Sequence, residues 1–208
     1  MAKQINPTRM ELTRLKKRLK TAARGHKLLK DKQNGMTKQF MEQIRRNREL
    51  RNQVEAGLAE AALQFRAASS AMGEKELGEA LLLPAGEIGV VGSSNNIMSV
   101  QVPSLRSDGS LASSLPYGFA DTSYELDTAT LTMTKLFPLL LQLAECEKTC
   151  DMLASEIEKT RRRVNALEHI MIPEMERNIK FITMKLEDNE RQNITRLMKV
   201  KDVINARN

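Results

Sequence analysis

The residues of this chain that could do chemistry are few and scattered. Cys146 and Cys150 are the only cysteines. They stand four apart within a helical pattern, so both point to one face. With no histidine and no second cysteine pair nearby, they read as reduced core thiols of a cytosolic protein. His26 falls on an apolar seam and His169 follows Glu168, but neither belongs to an HExxH pair or a carboxylate cluster at ligand spacing. Gly86-Glu87-Ile88-Gly89-Val90-Val91-Gly92 has the glycines of a phosphate loop. It lacks both the GxGxxG order and the Lys-Ser/Thr of a P-loop, so these glycines read as bends. No serine or cysteine occupies a nucleophile motif. The expectation is a chain with no catalytic residue, no cofactor and no metal.

A basic stretch offers different chemistry: Arg14, Lys16, Lys17, Arg18, Lys20, Arg24, Lys27, Lys30 and Lys32 could contact phosphates. The stacking aromatics of a single-strand binder are absent from it. A solvated helix face accounts for the run, and nucleic-acid binding or a coiled-coil scaffold stands as the alternative function. Membrane insertion is not expected, because the most apolar window, Leu136 to Ala144, is short and contains Pro138 and Gln142. Residues 1–7 lack the apolar stretch of a signal peptide, so secretion by that route is not expected either.

The elements that carry these residues are long helices. Of 208 residues, 28% are charged and only 3% aromatic, with 12 Met and no Trp. Leu and Met must therefore pack the core. Apolar or small residues step by threes and fours through Leu12, Leu15, Leu19, Ala22, His26, Leu29, Gln33, Met36 and Phe40, a heptad seam with two polar lapses. The pattern runs on to about Leu82. Pro7 suits a first helical turn, Thr8 with Glu11 has capping-box spacing, and Leu83-Pro84-Ala85-Gly86 marks the stop. A second, cleaner seam runs through Leu139, Leu143, Cys146, Cys150, Leu153, Ile157, Thr160, Val164, Leu167 and Met171. Its spacing then changes through Met175, Ile179, Ile182 and Leu186 and resumes at Leu197, Val200 and Ile204. That stutter, with Pro173 inside it, predicts local unwinding or a kink. Glu42 with Arg46, Glu158 with Arg162, Glu176 with Lys180 and Glu187 with Arg191 have ion-pair spacing.

Between the seams the chain changes character, with every glycine after Gly78, many serines and a charge of about −4. Ile88 and Val90 before Gly92-Ser93-Ser94-Asn95-Asn96, and Met98, Val100 and Val102 after it, alternate at period two and predict a β-hairpin turning at that segment. Asp127, or Thr122 with Glu125, could cap the returning helix. The expected fold is all-α: a long antiparallel two-helix coiled-coil hairpin with a small central β-hairpin and loop insert. Residues 1–83 form the first helix, 84–127 the insert and 128–208 the second helix, in one elongated, rod-like domain. A crude register with the termini level puts Gly35 opposite Glu174, beside Pro173, and predicts a shared weak point there. Charge concentrates at the terminal end, since residues 1–51 carry about +12 whereas the returning helix is near +2.

Asn6-Pro7-Thr8-Arg9-Met10-Glu11-Leu12-Thr13-Arg14-Leu15-Lys16-Lys17-Arg18-Leu19, continuing through Arg24-Gly25-His26-Lys27-Leu28-Leu29-Lys30-Asp31-Lys32, resembles the D subunit of the V-type/A-type rotary ATPases. Glu156-Ile157-Glu158-Lys159-Thr160-Arg161-Arg162-Arg163-Val164-Asn165-Ala166-Leu167-Glu168 resembles it independently, as do Ile172-Pro173, Ile182, Met184-Lys185-Leu186-Glu187 and Asn189-Glu190-Arg191. The insert is similar more loosely, at Asn96-Ile97-Met98-Ser99-Val100 and Val102-Pro103. Asn34-Gly35 departs from the family, which there more usually has a stronger helix-forming pair.

The resemblance implies a non-catalytic central-stalk rotor. Its paired terminal helices would enter the bore of a hexamer of catalytic A and B subunits, A3B3. Its other end would pair with the F subunit and with the subunit that couples the stalk to the membrane ring. That places it in the cytoplasm, peripheral to the membrane. On this reading Arg9, Arg14, Lys17, Arg18, Arg191, Arg196 and Lys199 face the bore. The hairpin residues Ile88, Val90, Met98, Val100 and Val102, with Arg161, Arg162 and Arg163, make lower-stalk contacts. Leu15, Leu19, Leu29, Leu153, Ile157, Val164, Leu167, Ile182, Leu186 and Leu197 carry the packing.

Overall fold

A computed structural model describes residues 6–82, 88–108, 115, 117–118 and 122–206. Helix α1 spans Arg9–Ala71, the short α2 Glu74–Ala80, strands β1 and β2 Gly89–Ile97 and Val100–Asp108, α3 Tyr124–Ala166 and α4 Ile172–Asn205, with one π-helical turn, Leu167–Met171, joining α3 to α4. The architecture is the expected one, long helices with a two-stranded antiparallel sheet between them in sequence. The chain forms two compact units, Met1–Gly35 with Glu158–Asn208 and Met36–Ile157.

In the first unit, α1 begins where the Thr8 side chain says it should. The Glu11 N–H donates to Thr8 Oγ1 at 3.2 Å and the Leu12 N–H to the Thr8 carbonyl at 3.0 Å. Thr8 is thus the N-cap, and Pro7 lies just outside the helix. The two arms run antiparallel: Arg9 ion-pairs with Glu190, and His26 Nε2 lies 3.1 Å from Glu168 Oε2. This corrects the level-termini register, because α4 runs on past the start of α1. Glu174 shares a groove with Arg14, Lys17 and Arg18 and does not stand opposite Gly35. Leu15, Val164 and Ile182 are buried in the seam. The irregularity the structure shows lies one turn before the predicted stutter: a π turn at Leu167–Met171, in which the Ile172 N–H reaches back five residues to the Leu167 carbonyl. Pro173 follows in the first turn of α4, directly after the π turn, so its missing N–H falls where the i→i−4 ladder is already interrupted.

In the second unit the arms are again antiparallel. Cys146 Sγ contacts the Gln43 carbonyl at 3.5 Å, and Thr132 Oγ1 donates to Gln64 Oε1 at 3.0 Å. Gly57 lets the helices approach closely: a Cβ there would lie 2.4 Å from Leu136 Cδ2. Met36 and Leu153, both fully buried, form one core cluster with Val100 and Val102. A second gathers Ala68, Met72, Leu77 and Leu126. Beside it the Tyr117 hydroxyl meets Thr130 Oγ1 at 3.3 Å, and burial pushes its phenol up.

Three expectations need correction here. The first helix does not continue to Leu82, because Gly73 turns extended and its N–H is accepted by Glu76 Oε2 at 3.1 Å, starting α2. The stop signal from Leu83 onward lies outside the described residues. The returning helix starts at Tyr124, with the Leu126 N–H donating to the Ser123 carbonyl, so neither Asp127 nor Thr122 is its N-cap. The hairpin turns at Met98-Ser99 and not at Gly92–Asn96, which belong to β1. Met98 and Ser99 both take positive φ, 51° and 73°, the two-residue turn whose twist matches the strands. Asn96 Oδ1 accepts the Ser99 N–H at 2.9 Å and locks it.

Candidate interaction surfaces

Chemistry-bearing groups do not converge anywhere among the described residues. They contain no group of three or more His, Cys, Asp or Glu able to hold a metal, and no helix long and apolar enough to cross a membrane. Both cysteines are free thiols. Burial pushes Cys150 up to about 11 and raises Cys146 as well, so neither is an activated thiolate. The side chain of His26, on its seam, is largely buried and bonded to Glu168, whose carboxyl is held low first by that hydrogen bond and then by Lys30.

What the chain does present is surface, and its most informative part is the end of α4. At 100° per residue, Ile179, Ile182 and Leu186 lie on the face that packs against α1. Leu197, Val200 and Ile204 continue the same face. Yet α1 begins at Arg9, level with Glu190, and every residue from Glu187 to Ala206 is exposed. Leu197 is 68% exposed, Val200 55% and Ile204 55%, with exposed Ile194 beside them and exposed Met198 farther round the helix. The expectation that Leu197 packs within the chain is therefore wrong: its seam outlasts its partner helix.

The expected bore residues fall into separate groups. Arg14, Lys17 and Arg18 come together along a groove of about 950 Å³ between α1 and α4, closed on the other side by Leu167, Met171, Met175 and Asn178. Arg9 is tied to Glu190, next to Arg191. Arg196 and Lys199 lie farther along α4, beside the uncovered stripe and on the face opposite it, respectively. Sequence reasoning named these cations but missed the apolar stripe between them. The signal was present in the resumed period, and only the register hid it.

Of the expected lower-stalk residues, Arg161, Arg162 and Arg163 are exposed in the first unit, with Arg162 ion-paired to Glu158 as its spacing predicted. In the second unit, Ile88, Val90 and Met98 are exposed. Val100 and Val102 are not available surface: both are buried against Met36 and Leu153 and hold the hairpin onto the helices. Beneath it, Gln43, Arg46, Asn95, Gln142 and Glu145 line a polar cleft of about 380 Å³.

The sequence has close relatives. The profile of the family described as the ATP synthase D subunit matches residues 11–202. A V-type ATP synthase D subunit of Acetivibrio thermocellus is 55% identical over 204 residues, covering 97% of this chain and 92% of the relative. Proteins of the same description from Thermoanaerobacter sp. (strain X514) and Clostridium botulinum are 52% and 51% identical, each covering at least 96% of both chains.

Proposed function

The chain belongs to the ATP synthase D-subunit family, and from that premise we propose that it is the non-catalytic central-stalk shaft of a V/A-type rotary ATPase. It carries torque between ATP hydrolysis or synthesis in an A3B3 hexamer and ion translocation in the membrane ring. The observation that supports this most is the uncovered stripe of α4. A helix face built to the period of a packing seam, yet exposed from Leu197 to Ile204, calls for a surrounding apolar partner. A hexamer bore is such a partner, with Arg196 at the stripe's margin and Arg14, Lys17 and Arg18 lower on the same end meeting polar bore groups.

Torque transmission follows from asymmetry. A hexamer whose three catalytic sites cycle through different conformations responds to a shaft only if the shaft's contacts differ from site to site, since coupling is a difference in contact free energy between states. One face of α4 is apolar and the other carries Arg191, Thr195, Lys199 and Asp202, so each rotation presents a different surface to a given site. The exposed hairpin residues Ile88, Val90 and Met98, with Arg161, Arg162 and Arg163, serve the opposite task, holding the F subunit and the coupling subunit. The whole assembly sits on the cytoplasmic side, peripheral to the membrane.

The test is reconstitution. Mixed with the A and B subunits of the same cell, the chain should enter their hexamer at one copy and change its rate of ATP hydrolysis. A hexamer that excludes the chain would refute the assignment.

A further inference from the structure

The two edges of the β-hairpin are not equivalent, and the difference points to a third strand. Opposite a two-residue turn, Ile97 and Val100 form a hydrogen-bonded pair, so the ladder bonds fall on Ile97↔Val100, Asn95↔Val102, Ser93↔Ser104, Val91↔Arg106 and Gly89↔Asp108. The intervening residues turn their N–H and C=O groups outward. On β2 this outward row is blunted. Pro103 has no N–H to offer, and the Leu105 N–H is taken by Glu145 Oε2 at 3.2 Å. On β1 the outward row is Val90, Gly92, Ser94 and Asn96. No backbone hydrogen bond among the described residues reaches it, and the sheet has only two strands there.

An open edge nine residues long normally carries a lysine, a proline or a bulge to keep other strands away. β1 has none of these: Gly-Val-Val-Gly-Ser-Ser-Asn-Asn-Ile is uncharged and exposed almost throughout. We propose that an extended segment of a neighbouring stalk protein adds to this edge as a third strand, main chain to main chain. The inference rests on the rotor assignment for its choice of partner.

The surroundings specify the segment further. Val91 and Asn95 share the face that looks onto the helices. Beneath it the polar cleft holds Arg46 and Glu145. Glu145 accepts the Leu105 N–H, and Arg46 forms no ion pair within 4 Å among the described residues, neither with Glu145 nor with Glu42, whose spacing predicted one. The incoming strand therefore carries an aliphatic side chain beside Val91 and, four residues away, a carboxylate beside Asn95 that reaches Arg46. A second copy of this chain does not meet that requirement, because β1 contains no acid to offer.

Residue-resolved amide exchange on the chain alone and in the reconstituted complex tests this. In the free chain Val90, Gly92, Ser94 and Asn96 should exchange fast, whereas Val91, Ser93 and Asn95 are protected by the ladder. In the complex the four outward amides should slow about tenfold or more, in that alternating pattern. Outward amides that stay fast in a complex containing the chain would overturn the proposal and leave the rotor assignment standing; failure of the chain to enter the complex would instead strike that assignment. Ser94→Pro removes one outward donor without touching a ladder bond. It should weaken binding of the other stalk proteins about tenfold, whereas Ser94→Ala, which also loses the Ser94–Gln101 contact, should not. Equal binding by both variants, or protection of the outward amides in a concentrated sample of the chain alone, would equally overturn it.

Discussion

Replacing Leu197, Val200 and Ile204 together by Ala separates stability from assembly. The three changes remove about eight carbons, worth about 0.8 kcal/mol each when fully buried. At present these side chains are 68%, 55% and 55% exposed. Roughly three-fifths of that value is thus still available to a partner that covers them, about 4 kcal/mol. At 1.4 kcal/mol per tenfold, this is about a thousandfold in affinity for the hexamer. The isolated chain should hardly notice, because Ala is a better helix former than Val or Ile and no packing partner is lost. Leu153→Ala provides the contrast: Leu153 is fully buried, and its truncation should cost the free chain about 2–5 kcal/mol. The assays are thermal unfolding of the chain alone and titration into A3B3 hexamer. An unchanged hexamer affinity, or a loss of free-chain stability as large as the loss of affinity, would refute the reasoning.

Three further outcomes follow from local geometry. Gly57→Ala should overpack against Leu136, costing about 1–3 kcal/mol against a gain of about 1 kcal/mol in helix propensity. In a denaturant double-mutant cycle Leu136→Ala should remove that overpacking cost, giving a coupling of about 1 kcal/mol or more. Converting Met98-Ser99 to Asn-Gly should stabilise the hairpin by about 1 kcal/mol, since both positions hold positive φ; a lowered unfolding midpoint would mean the turn is misassigned. Glu168 should titrate below the ordinary carboxylate range, and His26→Ala should move it back up. Because its pKa is depressed, the contribution of this pair is present above the ordinary carboxylate value and fades as pH falls through the lowered one. An NMR titration of the Glu168 carboxyl in both proteins checks it.

Periodicity made the helices legible, because three-four spacing of Leu, Met and Ala has no other reading over so many turns. Thr8 could be placed at the helix start from its hydroxyl, which accepts the Glu11 N–H, but the capping box is not closed, because the Thr8 N–H goes to the Asn6 carbonyl and the Glu11 carboxylate to Arg14. The register was not legible: two heptad seams slide past each other at little cost in pattern, and only side-chain pairs such as Arg9 with Glu190 and His26 with Glu168 fix it. That slide decides whether Leu197 is core or surface, so the most informative surface was hidden with it. The hairpin is visible as alternation, but its turn is not, since Met98-Ser99 is an unusual pair for positive φ and Gly92-Ser93-Ser94-Asn95-Asn96 has the commoner turn residues. Gly73 ended α1 where Gly25, Gly35 and Gly57 did not end it, and spacing could not single it out, since Glu60 follows Gly57 as Glu76 follows Gly73; only the Gly73 N–H to Glu76 bond distinguishes it.

The central claim is that this chain turns inside a hexamer. A cysteine at exposed Met198 can be cross-linked to one engineered into the hexamer lining, with little competition from the chain's own thiols, which burial holds protonated. The rotor account predicts that multi-turnover ATP hydrolysis stops on oxidation and returns on reduction. Hydrolysis that continues undiminished through a complete cross-link would contradict it.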